Sequence, residues 1–435
     1  MCARIRFLDV YSLVGLATLF ALLAIFLAPR AATAGDDLPN LIVPNSKAAI
    51  TISLPVPSNN TRPDGVTCLL KEVGSAADGI VGQWSKSVDG DGTSSKGTDQ
   101  LIAIIPPGDS SSATREFQIL SCPAGQEVAK LPFSFQPKDD ATLTLMEGRR
   151  PVLAYNHGVI TGENVPKNDG RRQRAGYVHP IWGLDGEVLT DDFPRDHYHH
   201  HGLFWAWPHV SIDGRDYDLW MGVNIRHKFV KWLDRQSGPV AGVLGVENGW
   251  YVGERKVMIE RVWLRVFKAD DNSQAIDVQL TWIPVERPVS LLGAAGKSYG
   301  GLTLRYNIGP KNKPTITDPK GVEKADLKIA RLPWADMTAV FPKRGEKISK
   351  STSRCGATVM VSPSHPDYPP TWLTRHYGIL CVGWPGVKSK TFPVDKPFSL
   401  SYRVRIHEGT LDAKQLDATY KAYVNGETEV KWSGE

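Results

Sequence analysis

Past residue 30 the sequence has no long hydrophobic run, and nowhere does it carry a block of basic residues. The first absence excludes a multi-span helical membrane protein, which needs several segments of about 20 apolar residues. The second excludes nucleic acid as a partner: a net charge of +5 over 435 residues is no footprint for a phosphate backbone. Cysteine is scarce, with five residues and no C-x-x-C spacing, so a cysteine-based metal site is not written into the chain. No fixed-period repeat and no low-complexity tract stand out. Hydrophobic residues at 41% and charged residues at 22% exclude a wholly disordered protein and leave room for two or three domains.

The exception to the missing apolar runs is LVGLATLFALLAIFLA, Leu13 to Ala28, behind the basic residues Arg4 and Arg6. Ala32-Thr33-Ala34 then supplies an A-x-A cleavage site before Gly35, so residues 1–34 read as a signal peptide. The expected location is secreted or periplasmic. An uncleaved anchor is the competing reading, because the run is long for a signal peptide, and only then is the membrane a partner. Cys2 precedes the apolar run and is not a lipid-attachment cysteine. Removing it leaves Cys68, Cys122, Cys355 and Cys381, an even number in an oxidising compartment. The pairs Cys68–Cys122 and Cys355–Cys381 each lie within one segment of the chain and are the favoured connectivity. Buried free thiols are the alternative.

Glycine (40) and proline (31) punctuate short apolar or alternating runs such as AAITISLPV, QLIAIIPP, KVMIERVWLRVF, AIDVQLTWIPV and FSLSYRVRIHEG. In Lys256 to Phe267, Val262, Leu264 and Val266 face one way and Arg261 and Arg265 the other, the period of a half-buried strand. Only TLDAKQLDATYKAYV reads as a helix, with Leu411, Leu416 and Tyr420 in rough register. The expected fold class is all-β, a large antiparallel β-sandwich with a smaller N-terminal β module and one C-terminal helix. The expected divisions are a β module over 35–142, the sandwich over 143–425 and a tail over 426–435.

Chemistry concentrates in DHYHHHGLFWAW, Asp196 to Trp207, which holds four of the eleven histidines. Seven histidines fall between His179 and His227, and Asp191, Asp192 and Asp196 accompany them. In a strand, His197, His199 and His201 would share one face, with same-face neighbours about 6.5–7 Å apart. Two imidazoles could then converge on one ion or one substrate. A carboxylate beside an imidazole holds its tautomer and raises its basicity. The blander reading is a hydrogen-bonded corner at a sheet edge. Trp205, Trp207, Tyr217 and Trp220 follow closely and suggest a platform for sugar rings, although any single tryptophan is more often core. Arg305, in GGLTLRYN, faces away from Leu302 and Leu304 and needs a carboxylate or a substrate.

The run RAGYVHPIWGLDGEVLTDDFPRDHYHHHGLFWAWPHV resembles the signature of a secreted bacterial family labelled "methane oxygenase PmoA", with its Y-x-H-P, D-G, D-F-P and D-H-x-H-H elements. GGLTLRYN with Arg305, LPWADMTAVF with Trp334 and Asp336, and SPSHPDYPPTWLTRHYG with His365, Trp372, Arg375 and Tyr377 extend the resemblance across roughly Leu143 to Val424. Tyr198 stands where the family pattern has proline, and His201 where many members have arginine. The resemblance implies a secreted protein associated with sugar catabolism and a sheet similar to that of the galactose mutarotase-like enzymes. It does not imply a genuine methane monooxygenase, whose membrane subunits span the bilayer several times.

Three readings of function follow. The first is a carbohydrate-active hydrolase, lyase or epimerase with acid–base groups His199, His201, Asp196, Glu260 and Asp336. Its substrate contacts would be His179, His197, His200, Trp205, Trp207, Arg305 and Arg375. The second is a metal-binding protein or metal-dependent enzyme in which His179, His197, His199 and His201 hold zinc, copper or iron. The third is a non-catalytic carbohydrate-binding protein. All three expect a small-molecule or oligosaccharide ligand.

Overall fold

The computed structural model describes residues 38–57, 67–96, 99–108, 112–121, 131–309, 312–343 and 354–435. The expected signal peptide and Cys122, hence the Cys68–Cys122 pairing, lie outside the described residues.

Two nine-stranded antiparallel sheets form the sandwich. The first runs, edge to edge, through Lys328–Arg331, Thr371–Arg375, Ile379–Gly383, Gly301–Arg305, Leu203–Ala206, Tyr177–Ile181, Arg150–Asn156, Thr142–Glu147 and Phe133–Asp139. The second carries the long strands Arg226–Ser237, Ala241–Val252, Arg255–Phe267, Ser273–Pro284 and Phe398–Glu408, then Cys355–Val361, Trp334–Ala339, Thr315–Asp318 and Gly321–Glu323. Their inner faces share one core. Leu145, Leu153, Tyr155, Leu203, Trp205 and Leu304 of the first sheet meet Leu244, Val246, Val262, Leu264, Leu280 and Val404 of the second. A four-stranded sheet of Arg215–Tyr217, His209–Ile212, Val289–Leu292 and Lys390–Phe392 accompanies them.

The alternation expected of Lys256 to Phe267 is present, but its polar side is not open to water. Trp263, between Val262 and Leu264, is 4% exposed and packs with Ile102 of the N-terminal module. Its indole donates to Gly92 O at 2.8 Å, and Arg265 Nη2 donates to Gln100 Oε1 at 3.0 Å. The outer face of the long strands is therefore a seam.

The N-terminal module is a seven-stranded sheet, and its last strand, Lys431–Trp432, comes from the far end of the chain. Lys431 and Trp432 pair with Ile42 and Leu41, and the Trp432 indole donates to Pro55 O at 2.8 Å. Residues 426–435 are thus not a free tail. The strand Phe133–Asp139, read as part of the module, belongs to the sandwich. The helix Ala413–Thr428 starts at a capping box: Gln415 N donates to Asp412 Oδ1 at 2.8 Å, and Asp412 N to Gln415 Oε1 at 3.0 Å. Leu416, Tyr420 and Tyr423 bury against Trp334 and Met360.

The expected Cys355–Cys381 disulfide is absent; both residues are buried free thiols. Cys355 sits on a strand of the second sheet and Cys381 on one of the first, so closeness in sequence did not become closeness in space. Among the described residues no helix is long and apolar enough to cross a membrane.

Candidate functional site

The histidine run is not a strand. Residues 191–200 form successive turns, and the strand begins only at Leu203. His197 N donates to Pro194 O at 2.9 Å and His200 N to His197 O at 3.0 Å. The proline and the short polar residues ahead of the histidines favour such turns over an extended ladder. Face alternation therefore does not apply, and the imidazoles pack as a tight knot.

Backbone bonds lace this knot to the sheet. Asp191 N donates to Arg305 O at 3.1 Å, Arg305 N to Gly202 O at 2.7 Å, and Gly202 N to Asp191 O at 2.8 Å. Gly202 has φ of 39°, and a Cβ there would run into the Val178 carbonyl, so only glycine lets the turns close onto the strand. The lacing brings Asp191, Asp196 and Arg305 to one place.

The half-exposed rings of Tyr377 and His197 stack with the buried ring of His200. His197 lies 4.9 Å from Tyr377 and 4.6 Å from His200, with interplanar angles of 10° and 9°. His199 stands edge-on to both imidazoles, at 5.6 Å from His197 and 4.6 Å from His200. His197 Nδ1 lies 2.9 Å from Asp196 Oδ2. Arg305, only 3% exposed, places one nitrogen, Nη2, 3.0 and 3.1 Å from the two Asp196 oxygens, and its guanidinium lies 5.1 Å from the Tyr377 ring centre. Its Nε and Nη1 have no partner. An open cleft of about 820 Å³ lies here, its lining including Asn164, Asp191, Asp196, Arg305, Asn312 and Tyr377.

Burial decides the charges. It holds the imidazoles of His199, His200 and His201 below the usual value of 6.5, His199 at about 3, with neighbouring imidazoles adding to the effect for His199 and His200. They are neutral at pH 7. Burial raises Asp191 to about 6 against the pull of Arg305. Asp196 lies below its usual range, because His197 and Arg305 outweigh its partial burial. A carboxyl group titrating near 6 can exchange protons with a ligand close to neutral pH.

The remaining expected site residues separate. His201 is 2% exposed; its Nδ1 lies 2.8 Å from Asp192 Oδ1, and Tyr177 OH donates to Asp192 Oδ2 at 2.7 Å. This places His201 behind the cleft as a support. His179 pairs its Nδ1 with Thr190 Oγ1 at 3.0 Å. Arg375 donates to the carbonyls of Thr374 and Leu327. Trp205 and Trp207 are fully buried, so they are no sugar platform: Trp207 donates to Trp384 O and packs on Trp250 and Trp282. Their strand lies in the middle of the first sheet, where both faces are covered.

Glu260 is buried between the sheets, away from the cleft. It accepts from Asn248 Nδ2 (3.0 Å), Trp250 Nε1 (2.8 Å) and Trp282 Nε1 (2.9 Å), with His227 Nε2 at 3.2 Å. These donors overcome the desolvation and hold it at about 2. Asp336 accepts from Thr338 and Thr358, both at 2.9 Å, and meets His407 Nε2 at 2.8 Å. Both are structural carboxylate–imidazole contacts, not the complementary carboxylate expected beside His199. Asp191 lines the cleft instead. Its signal in the sequence was adjacency to Asp192 in LTDDFP; Tyr377 carried none beyond the motif.

Nor do the four histidines offered as metal ligands converge. Among the described residues no group of three or more His, Cys, Asp or Glu side chains is placed to hold a metal ion. His179 and His201 turn Nδ1 to Thr190 and Asp192, while His197 and His199 meet ring edge to ring face.

A family model described as a family of unknown function (DUF6807) matches residues 142–421. No curated protein matches the chain.

Proposed function

We propose, for a chain that belongs to the DUF6807 family of unknown function, a carbohydrate-active enzyme working outside the cytoplasm through the cleft lined by Asp191, Asp196, Arg305 and Tyr377, with the histidine knot packed beside it. The observation that carries the reading is Arg305. It is buried and tied to Asp196 by one nitrogen, and it keeps two unpartnered nitrogens at a cleft with an imidazole–phenol stack. The cleft volume falls within the roughly 300–1,000 Å³ of small-molecule sites. Arg305 and Asp196 would hold ligand hydroxyls, and the exposed stack would offer a flat edge to a sugar ring. Asp191, which lines the cleft and titrates at about 6, would take a proton from the ligand as a carboxylate and return it as the acid. Such a group serves epimerisation, elimination or hydrolysis.

The test is a panel of glycosides, keto-sugars and uronic acids followed by NMR, with wild type, Asp191→Asn and Arg305→Met. Turnover in wild type, lost in Asp191→Asn with binding retained and lost with binding in Arg305→Met, is the expected result. Saccharide binding that all variants keep, with no turnover, would replace the enzyme by a carbohydrate-binding protein. Absence of any saccharide binding would overturn the reading.

A further inference from the structure

Arg174 presents a problem that the cleft does not solve. It is 7% exposed, and only Nη1 has an acceptor, Leu219 O at 2.7 Å; Nε and Nη2 have none. Even at about 10, where burial holds it, the guanidinium remains charged at neutral pH. A buried cation with two unpartnered nitrogens is costly, so a further acceptor is expected beside it. Glu260 supplies long-range attraction, but its oxygens are already taken by Asn248, Trp250, Trp282 and His227.

A cavity of about 40 Å³ lies against Arg174, bounded by Val159, Gln173, Ala175, Gly222, Arg226 and His227. It shares no lining residue with the cleft at Arg305. One water-sized sphere needs about 10–15 Å³, so the space takes about three oxygen-sized atoms, the head of a small ligand. Arg226 is exposed and stands at the mouth, its guanidinium donating to Gln173 O and Gly170 O. The wall contributes His227, 5% exposed. Its Nε2 faces the ionised Glu260 and therefore carries the proton, which leaves Nδ1, also unpartnered, as an acceptor.

We infer that this cavity is a second ligand site, which takes an oxyanion head bearing one hydroxyl, such as a phosphate monoanion or an α-hydroxycarboxylate. The oxyanion accepts from Arg174 Nε and Nη2, and the hydroxyl donates to His227 Nδ1. Arg226 adds a second positive charge at the entrance, and the rest of the ligand extends past it into solvent. A fully ionised, hydroxyl-free anion such as acetate leaves the His227 acceptor unmatched and binds less well.

Isothermal titration of the full chain with inorganic phosphate, glycolate and acetate tests this, in wild type and in Arg174→Met, Arg226→Gln and Arg305→Met. The expected result is saturable 1:1 binding of phosphate or glycolate, at least tenfold tighter than acetate. It should weaken at least tenfold in Arg174→Met and several-fold in Arg226→Gln, and stay unchanged in Arg305→Met. Phosphate alone or glycolate alone identifies which head group the site takes. Should Arg174→Met fail to fold, the exposed Arg226→Gln decides by the same criterion. No saturable binding to wild type, or binding lost in Arg305→Met and kept in the other two, overturns the second site. Neither outcome bears on saccharide turnover in the cleft.

Discussion

His197 lies flat on Tyr377, ring centroids 4.9 Å apart and planes 10° from parallel, although one residue sits in a turn of the histidine run and the other just beyond a strand near the C-terminal end of the sandwich. The contact gives an otherwise half-exposed imidazole a fixed orientation beside Asp196.

Tyr377 is 38% exposed, so removing it costs little packing. Tyr377→Ala is expected to lose about 0.5–1.5 kcal/mol in urea unfolding, the worth of an aromatic pair. It should lower ligand affinity in the cleft about tenfold by freeing His197. Tyr377→Phe keeps the stack and should behave as wild type in both measurements.

Glu260 makes the opposite case. Glu260→Gln replaces an acceptor of four hydrogen bonds with a group that turns an N–H toward other N–H donors. Leaving buried donors without an acceptor costs about 1–3 kcal/mol, and more where the lost acceptor is charged. Urea unfolding should show that loss, while the folded fraction keeps its affinity for cleft ligands. Unchanged stability with abolished turnover would return Glu260 to the chemistry.

Stability should fall as pH drops below about 6.5. His199 is held at about 3 and His365 at about 4 against a usual 6.5, by burial first, and His200, His201 and His227 are also depressed. The folded chain binds fewer protons there than the unfolded one. The imidazole contribution is thus complete above pH 6.5 and is lost as pH falls toward 3. Asp191 and Asp192, raised from 3.8 to about 6, act with the opposite sign between those values, as do the less strongly raised Asp218, Glu323, Glu408 and Glu427. The histidines carry the larger shifts. Thermal melts between pH 8 and pH 4 should therefore show a falling midpoint, and His199→Gln should flatten the slope.

The cysteines offer a covalent check. Denaturation without reductant, followed by alkylation and peptide mass mapping, should label both Cys355 and Cys381. A linked peptide pair would contradict their placement on different sheets.

Much of the architecture was legible residue by residue. Apolar runs such as KVMIERVWLRVF and AIDVQLTWIPV became the strands Arg255–Phe267 and Ser273–Pro284, and the only long helical pattern became Ala413–Thr428. Arg305, a charge that needs a partner, finds it in Asp196, the carboxylate read from the sequence beside the histidines. The errors share a cause. Trp205 and Trp207 were placed at a surface because they follow polar residues, but their strand is central in the sheet. Glu260 and Asp336 were paired with His199 because carboxylates and imidazoles suit one another, and each had found a histidine elsewhere, His227 and His407.

The sequence by itself determined the fold class and the chemical inventory, since the period of apolar residues and the positions of glycine and proline are local properties of the chain. Which members of that inventory meet was decided by tertiary structure alone. The pairing of Asp191, Gly202 and Arg305, the Tyr377 ring beneath His197, and the return of Lys431–Trp432 to the N-terminal sheet all depend on strand order and register. Those are settled by how two sheets bury a common core, and burial in turn keeps His199, His200 and His201 neutral.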